Sequence, residues 1–174
     1  MTQLLWELEE VTLAGRAKPR LDRISCTLES GYTAVVGSSG AGKTSLLNLL
    51  VEFERPHSGS LKSHLVDDQH LPFFWVPQNA GLWGHLNALE HLLAVSQDEA
   101  QNIEILKDFG LGEQCYARPG SMSAGQRGRL SVARAVASQA NVLVMDEPFA
   151  NVDLAGSHRY WQVIRERTAG KSLI

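Results

Sequence analysis

Residues 37–45 constrain the chain more than any other stretch, because they fit the phosphate-binding pattern G-x-x-x-x-G-K-[ST] at every fixed position. They are Gly37, Ser38, Ser39, Gly40, Ala41, Gly42, Lys43, Thr44 and Ser45. Glycines let backbone N–H groups curl around phosphate oxygens, and a helix N-terminus adds partial positive charge. Lys43 can then reach the β- and γ-phosphates, and the Thr44 hydroxyl can ligate Mg²⁺. The sequence therefore predicts a nucleotide-binding loop.

The residues on either side of this loop have the pattern that such a loop requires. Residues 32–36 have the short apolar pattern of a buried strand that leads into the loop. The residues that follow the loop have helical spacing, which predicts a helix over 46–53. Its apolar face would consist of Leu46, Leu49, Leu50 and Phe53.

Composition narrows the class of protein further. The 174 residues suggest a single domain over 1–174. Sixteen basic and 19 acidic residues give a net charge of −3, so no basic excess favours nucleic acid as a partner. The two cysteines lie far apart and match no metal spacing, which predicts reduced thiols. No apolar run approaches the ~20 residues of a membrane span, and the first residues do not resemble a signal peptide.

The remaining patterns predict an α/β fold with two additions to a phosphate-loop core. Residues 4–13 and 21–28 predict a small antiparallel sheet, and 61–66 a further short strand before a polar turn at 67–70. Residues 54–60 predict a break. Helical spacing dominates 79–137, which predicts a helical subdomain inserted between core segments 1–78 and 138–174.

Two patterns place polar groups where such a core binds ligands. The strand predicted over 73–76 ends just before Gln78, and the apolar run 142–148 ends in Asp146 and Glu147. Its continuous apolar character predicts a parallel sheet between helices, whose carboxyl edge is where ligands bind. Taken alone, Gln78 could be a turn residue and Glu147 a surface acid. The remaining elements predicted are a helix over 154–167 and a strand that begins near Ser172.

A helix is predicted to begin at Ser123, because Gln126 lies three residues further on, as in a capping box. By itself, this pattern makes Ser123 only a helix cap. The six histidines show no metal spacing. Trp75 and Trp83 are interpreted as packing residues rather than as a platform for a base.

In this order, the phosphate loop, Gln78, the Ser-Ala-Gly-Gln helix start, Asp146-Glu147 and the loop ending in Asp153 resemble the nucleotide-binding domain of ATP-binding-cassette (ABC) transporters. The resemblance covers essentially the whole chain. It implies that ATP and Mg²⁺ are bound, that Asp146 holds the metal and that Glu147 polarises the attacking water. Gln78 would contact the metal or that water.

The resemblance also implies partners. Ser123, Gly125 and Gln126, at the start of their helix, would bind the γ-phosphate of an ATP held by a second ATPase subunit in a head-to-tail dimer, and Asp153 would line the same interface. A transmembrane permease would dock near Gln78 and residues 79–93, which implies a peripheral location on the cytoplasmic face of the membrane. Nucleic acid is not an expected partner.

Three departures from the family pattern leave alternatives open. Ala124 replaces the usual glycine, and residues 12–20 contain no aromatic residue to stack on adenine, so that Arg16 is the candidate contact. The sequence also ends at Ile174, before the position of the family's switch histidine; we expect either a shortened chain or a protein without that group. The alternatives are a soluble ABC-type ATPase that does not transport, and a regulatory subunit with weak turnover.

Overall fold

The computed structural model describes residues 2–65, 71–152 and 154–174. Its strands are β1 Leu4–Leu13, β2 Leu21–Glu29, β3 Ser58–Ser63, β4 Phe74–Val76, β5 Val142–Met145 and β6 Ser172–Leu173. Its α-helices are α1 Lys43–Leu50, α2 Ala88–Leu93, α3 Glu99–Asp108, α4 Ala124–Ala137 and α5 Leu154–Arg167. A 3₁₀ turn, Pro119–Ser121, precedes α4.

The first sheet is antiparallel, with strand order β2-β1-β3. The predicted strands 4–13 and 21–28 are confirmed to within one residue. β3 begins at Ser58, inside the predicted break, so that part of the prediction is wrong. Gly59 has φ +84° and lies against the backbone carbonyls of Glu9 and Glu10, where a Cβ would not fit. The glycine therefore lies at the register shift between β1 and β3, where the two backbones approach closely. Residues 66–70 lie outside the described residues.

The second sheet is parallel, with order β4-β5-β6. All four residues of β5 are buried, as its apolar run predicts. Its two faces serve different cores. Leu143 and Met145 pack with the helices of 79–137, whereas Val142 and Val144 pack with the antiparallel sheet and α1. Asp146 and Glu147 therefore directly follow a central strand that is buried on both faces.

The strand predicted over residues 32–36 is wrong. Tyr32 makes an isolated parallel bridge to Leu173, and the N–H of Thr33 donates to the Leu173 carbonyl over 2.9 Å. Val36 is 87% exposed. Residues 33–36 belong to no strand, so the segment runs from this bridge to the phosphate loop without a ladder.

The helix after the loop begins earlier and ends sooner than predicted. α1 ends at Leu50, since Glu52 takes a positive φ of 57° and turns the chain away. Phe53 consequently lies outside the helix and is 77% exposed, so its place on the apolar face is wrong. The predicted Leu49 and Leu50 are buried on that face, Leu46 is half-buried against the same core, and Leu47 is buried with them.

Residues 79–137 contain α2, α3 and α4, which pack around Leu106, Phe109 and Leu130. Their division from core segments 1–78 and 138–174 as a separate subdomain stays a prediction. The helix predicted over 154–167 is confirmed as α5. Cys26 and Cys115 are free thiols. No helix among the described residues has both the length and the apolar content needed to cross a membrane.

Candidate functional site

The phosphate loop forms a tight turn whose lysine folds back over it. Lys43 Nζ donates to the carbonyl oxygens of Gly37 and Ser38 over 3.0 and 3.1 Å. Gly40 and Gly42 have φ of 78° and 94°, a region that favours glycine. A Cβ on Gly42 would lie 2.5 Å from the Arg20 carbonyl oxygen and 2.8 Å from Leu21 Cδ2. The loop thus packs directly against the start of β2.

A hydrogen bond joins the first turn of α1 to the end of β5. Thr44 Oγ1 donates to Asp146 Oδ2 over 2.8 Å, and Asp146 is 3% exposed. The backbone N–H of Asp146 donates to the Val76 carbonyl over 2.9 Å, which fixes the carboxylate at the sheet edge. A hydroxyl and a carboxylate are hard oxygen donors of the kind that Mg²⁺ prefers. This pair therefore fits the metal that the sequence implies.

The second carboxylate pairs with the glutamine at the end of the neighbouring strand. Gln78 Nε2 donates to Glu147 Oε2 over 3.0 Å, and both side chains are exposed. Glu147 has φ +48°, which is uncommon for a residue with a Cβ. Strained backbone of this kind clusters at functional sites. The predicted meeting of Gln78, Asp146 and Glu147 at the carboxyl edge of the sheet is what the structure has.

The tip of α4 has the predicted capping box. Ser123 Oγ accepts from the Gln126 N–H over 3.1 Å, and Gln126 Oε1 accepts from the Ser123 N–H over 2.8 Å. Gly125 approaches the loop after β5, because a Cβ there would lie 2.9 Å from the Asn151 carbonyl oxygen. Asp153 lies outside the described residues.

Ser123 does not join the phosphate loop within one chain. It lines a separate open cleft of about 870 Å³ that also contains Arg129, Arg159 and the first turn of α4. None of the described residues that line this cleft belongs to the phosphate loop. The cleft instead contains a helix N-terminus, the exposed Arg159, and Arg129, whose guanidinium lies 5.3 Å from the ring centroid of Tyr160. This environment is suited to an anion.

The region beside the loop where Arg16 lies is an open cleft of about 580 Å³. Its lining consists of residues 14–20 together with Gly40 of the phosphate loop, and no aromatic side chain is among the described residues that form it. Glu54 binds Arg20 and also accepts from Asn48 Nδ2 over 3.1 Å, so this segment is tied to α1. The contact that Arg16 makes with a base stays a prediction.

Sequence reasoning missed two polar residues of α4 that hold the Gln78 turn. Ser131 Oγ donates to the Ala80 carbonyl over 2.7 Å, and Arg134 Nη2 donates to the Gly81 carbonyl over 3.0 Å. Both lie among the small apolar residues of the helix. A serine and an arginine three residues apart on an otherwise apolar face were the signal that could have revealed them.

Trp75 and Trp83 pack against neighbouring side chains, as predicted. Among the described residues, no cluster of three or more His, Cys, Asp or Glu side chains could hold a metal. Trp83 stacks on the buried His91 ring, with centroids 5.7 Å apart. Trp75 lies in β4 and packs against the core of the antiparallel sheet.

The chain has a phosphate loop followed by a helix, and two acidic residues at the end of a buried parallel strand. Together these features define a nucleoside triphosphatase of the α/β class. The sequence model of the ABC transporter family matches residues 21–150.

Curated relatives and solved structures are similar to the chain over nearly its full length. It is 34% identical to the cytochrome c biogenesis ATP-binding export protein CcmA of Escherichia coli (strain K12), over 95% of this chain and 81% of that protein. It is 32% identical to the macrolide export ATP-binding/permease protein MacB of Hyphomonas neptunium (strain ATCC 15444), over 100% of this chain and 31% of MacB. The chain therefore spans about a third of MacB.

Two solved structures share the fold at low sequence identity. One is the ATP-binding subunit of an ABC transporter, with 20% identity and a TM-score of 0.78, covering 97% of this chain and 78% of that one. The other is a dimeric ATP-binding cassette in a post-hydrolysis state, bound to ADP and Pi, with 22% identity and a TM-score of 0.80. It covers 97% of this chain and 86% of that one.

The chain belongs to the ABC transporter family. Its function is that of the family's ATP-binding, ATP-hydrolysing component.

Proposed function

We propose that the chain hydrolyses ATP with Glu147 as general base and Gln78 as the group that orients the attacking water. The observation that carries the proposal is the Gln78–Glu147 hydrogen bond of 3.0 Å beside the Thr44–Asp146 bond of 2.8 Å. Gln78 follows β4, and Asp146 and Glu147 follow the neighbouring parallel strand β5, whereas Thr44 lies beside Lys43 in the first turn of α1. An exposed carboxylate held beside a phosphate site needs only to be positioned, because phosphoryl transfer requires little covalent chemistry from the protein.

The phosphates would be held by the loop itself. The backbone N–H groups of residues 38–45 would donate to the phosphate oxygens, and Lys43 would exchange the carbonyls of Gly37 and Ser38 for the β- and γ-phosphates. Thr44 and Asp146 would hold Mg²⁺, Asp146 through water, and Gln78 would contact the metal or the attacking water. Bound Mg²⁺ neutralises the charge that develops on the phosphate oxygens.

In a dimer, α4 of this chain would complete the ATP site of the second subunit. Its tip, with Ser123, Gly125 and Gln126, opens onto solvent rather than onto the phosphate loop of its own chain. In a head-to-tail dimer, this helix N-terminus would face the γ-phosphate held by a second ATPase subunit. Two Mg-ATP molecules would then be enclosed between two subunits, with Asp153 at the same interface.

The wider setting follows from family membership. We propose that a transmembrane permease docks near Gln78 and residues 79–93, and that the chain works at the cytoplasmic face of the membrane. Exposed Trp83 (46%) lies in this segment. The net charge of −3 offers no support for nucleic acid as a partner.

A matched pair of variants at Ser123 tests the dimer. Asn and Asp cap a helix about equally well, so Ser123→Asn and Ser123→Asp should fold alike. Only Asp adds a negative charge where the partner's phosphate would arrive. In a Glu147→Gln background, sedimentation with Mg-ATP should show dimers for Ser123→Asn and monomers for Ser123→Asp. Equal dimerisation of the two variants would refute contact between the α4 tip and phosphate.

A second candidate is a regulatory subunit that binds ATP with little turnover. The cleft beside the phosphate loop favours it, because the described residues that line this cleft include no aromatic ring for adenine. Arg16 is the proposed substitute, through a cation–π contact with the base. ATP binding without Mg²⁺-dependent phosphate release from the unaltered protein would favour this second candidate over the first.

A further inference from the structure

Two side chains of α4 grip consecutive carbonyl groups in the turn that follows β4. Ser131 Oγ donates to the Ala80 carbonyl over 2.7 Å, and Arg134 Nη2 donates to the Gly81 carbonyl over 3.0 Å. Ser131 and Arg134 are 0% and 4% exposed. Since the two donors lie one helical turn apart, they fix the orientation of the turn as well as its position.

The turn at residues 77–81 has an unfavourable backbone conformation that the bonds from α4 stabilise. Ala80 and Gly81 have φ of 66° and 55°, a left-handed region that is unfavourable for alanine because its Cβ lies too close to the following carbonyl oxygen. Within the turn, the Ala80 N–H donates to the Pro77 carbonyl over 2.9 Å. Gln78 therefore lies inside a strained loop, and the bond from Gln78 to Glu147 depends on the conformation of that loop.

The guanidinium of Arg134 is buried between two aromatic rings. The guanidinium lies 4.9 Å from the ring centroid of Trp83 and 5.6 Å from that of Phe74. Its Nε and Nη1 are buried, with no hydrogen-bond partner among the described residues. A buried cation is costly unless compensated, and here two aromatic faces supply the compensation. If this position served only to fill space, an apolar side chain would do so without the free-energy cost of burying a charge.

From these contacts we propose that Arg134, assisted by Ser131, is a positioning residue for Gln78. By holding the turn at residues 77–81, it keeps the Gln78 amide within hydrogen-bond distance of Glu147. The inference deepens the proposed function and rests on it. Arg134 is buried and is not among the residues proposed to hold nucleotide or metal, so its removal should lower turnover through Gln78 while ATP binding by the phosphate loop is retained.

A double-mutant cycle between Arg134 and Gln78 tests this. Turnover is measured with radiolabelled ATP for the unaltered protein, Arg134→Met, Gln78→Ala and the double variant. Arg134→Met should lower kcat by about tenfold and change the dissociation constant for ATP by less than about twofold. In the Gln78→Ala background, it should change kcat by less than about twofold, because the group it positions is already gone.

The proposal would be overturned if Arg134→Met lowered kcat by the same factor in the Gln78→Ala background as in the unaltered protein. A general loss of structure lowers kcat whether or not Gln78 is present. Lys107→Met is the control: it removes a cation of the helical segment that bonds exposed Glu104 over 2.7 Å. It should leave kcat unchanged. If Arg134→Met does not fold, Ser131→Ala takes its place in the cycle, with an expected loss of about threefold and the same dependence on Gln78.

Failure of the proposed function gives a different result. If the unaltered protein shows no turnover, the function fails, and the positioning contact is then judged by hydrogen exchange over residues 77–83. Faster exchange there in Arg134→Met and Ser131→Ala than in Lys107→Met would support the contact. Equal exchange in all three variants would refute it.

Discussion

Two glycines of the phosphate loop differ in a way that isolates the packing of this loop against β2. Gly40 and Gly42 both have positive φ, 78° and 94°. A Cβ at Gly40 would meet nothing within 4 Å, whereas at Gly42 it would lie 2.5 Å from the Arg20 carbonyl oxygen and 2.8 Å from Leu21 Cδ2. Alanine at the two positions therefore carries the same backbone cost, and only Gly42→Ala adds a clash.

The magnitudes follow from those contacts. The left-handed conformation costs an alanine about 1–2 kcal/mol, and the lower entropy of its unfolded chain returns about 0.4–1 kcal/mol. Gly40→Ala should thus destabilise the protein by about 0–1.6 kcal/mol. Forcing a methyl group into a filled space adds about 1–3 kcal/mol, so Gly42→Ala should cost about 1–4.6 kcal/mol.

The assay is urea unfolding without nucleotide, followed by far-ultraviolet circular dichroism. The midpoint for Gly42→Ala should fall well below that for Gly40→Ala, with the slope m unchanged. Equal midpoints for the two variants, together with equal affinities for ATP, would refute the packing of the loop on Arg20. Equal midpoints with weaker ATP binding by Gly42→Ala would show that the loop shifts to relieve the clash, because each 1.4 kcal/mol needed to restore the binding conformation lowers the affinity about tenfold.

Three further predictions concern buried polar groups. Thr44→Val removes the donor to Asp146 (2.8 Å) and should lower the unfolding free energy by about 1–3 kcal/mol in urea titrations, whereas Thr44→Ser should retain most of it. Trp6→Phe should cost a similar 1–3 kcal/mol in the same titrations, because the buried indole Nε1 donates to the Leu50 carbonyl over 3.0 Å. Burial lowers the pKa of His91 below its ordinary value of 6.5. The unfolded chain therefore binds the extra proton as the pH falls through about 6.5, so stability is present above that pH and is lost below it. Urea midpoints at pH 8 and pH 5.5 should differ less in His91→Gln than in the unaltered protein; an equal difference would contradict this.

Much of the site could be predicted from sequence because its signals are local. A capping box spans four residues, and Ser123 with Gln126 forms one as predicted. The apolar run of β5 predicts a strand buried on both faces, and the parallel topology then brings Gln78 and Glu147 to the same edge. No long-range information was needed for these steps.

The errors arose where distant contacts decide the structure. Residues 32–36 have strand-like composition, but in the structure they pair with Leu173 through Tyr32 and Thr33, and residues 34–36 join no strand. Gly59 resembles a turn residue in sequence, yet it enters β3 because the backbone of β1 approaches it closely. Arg134 carries no signal of its partner Gly81, 53 residues away. Burial of a cation between two rings is a property of the folded chain.

The measurement that tests the account most directly is Mg²⁺-dependent phosphate release from ATP by the unaltered protein and by Glu147→Gln. The substitution keeps the size of the side chain and its hydrogen bonding to Gln78 but removes the base. Turnover should fall by about a hundredfold or more, while ATP binding is retained. Equal turnover in the two proteins would contradict the role assigned to Glu147 and, with it, the proposed site.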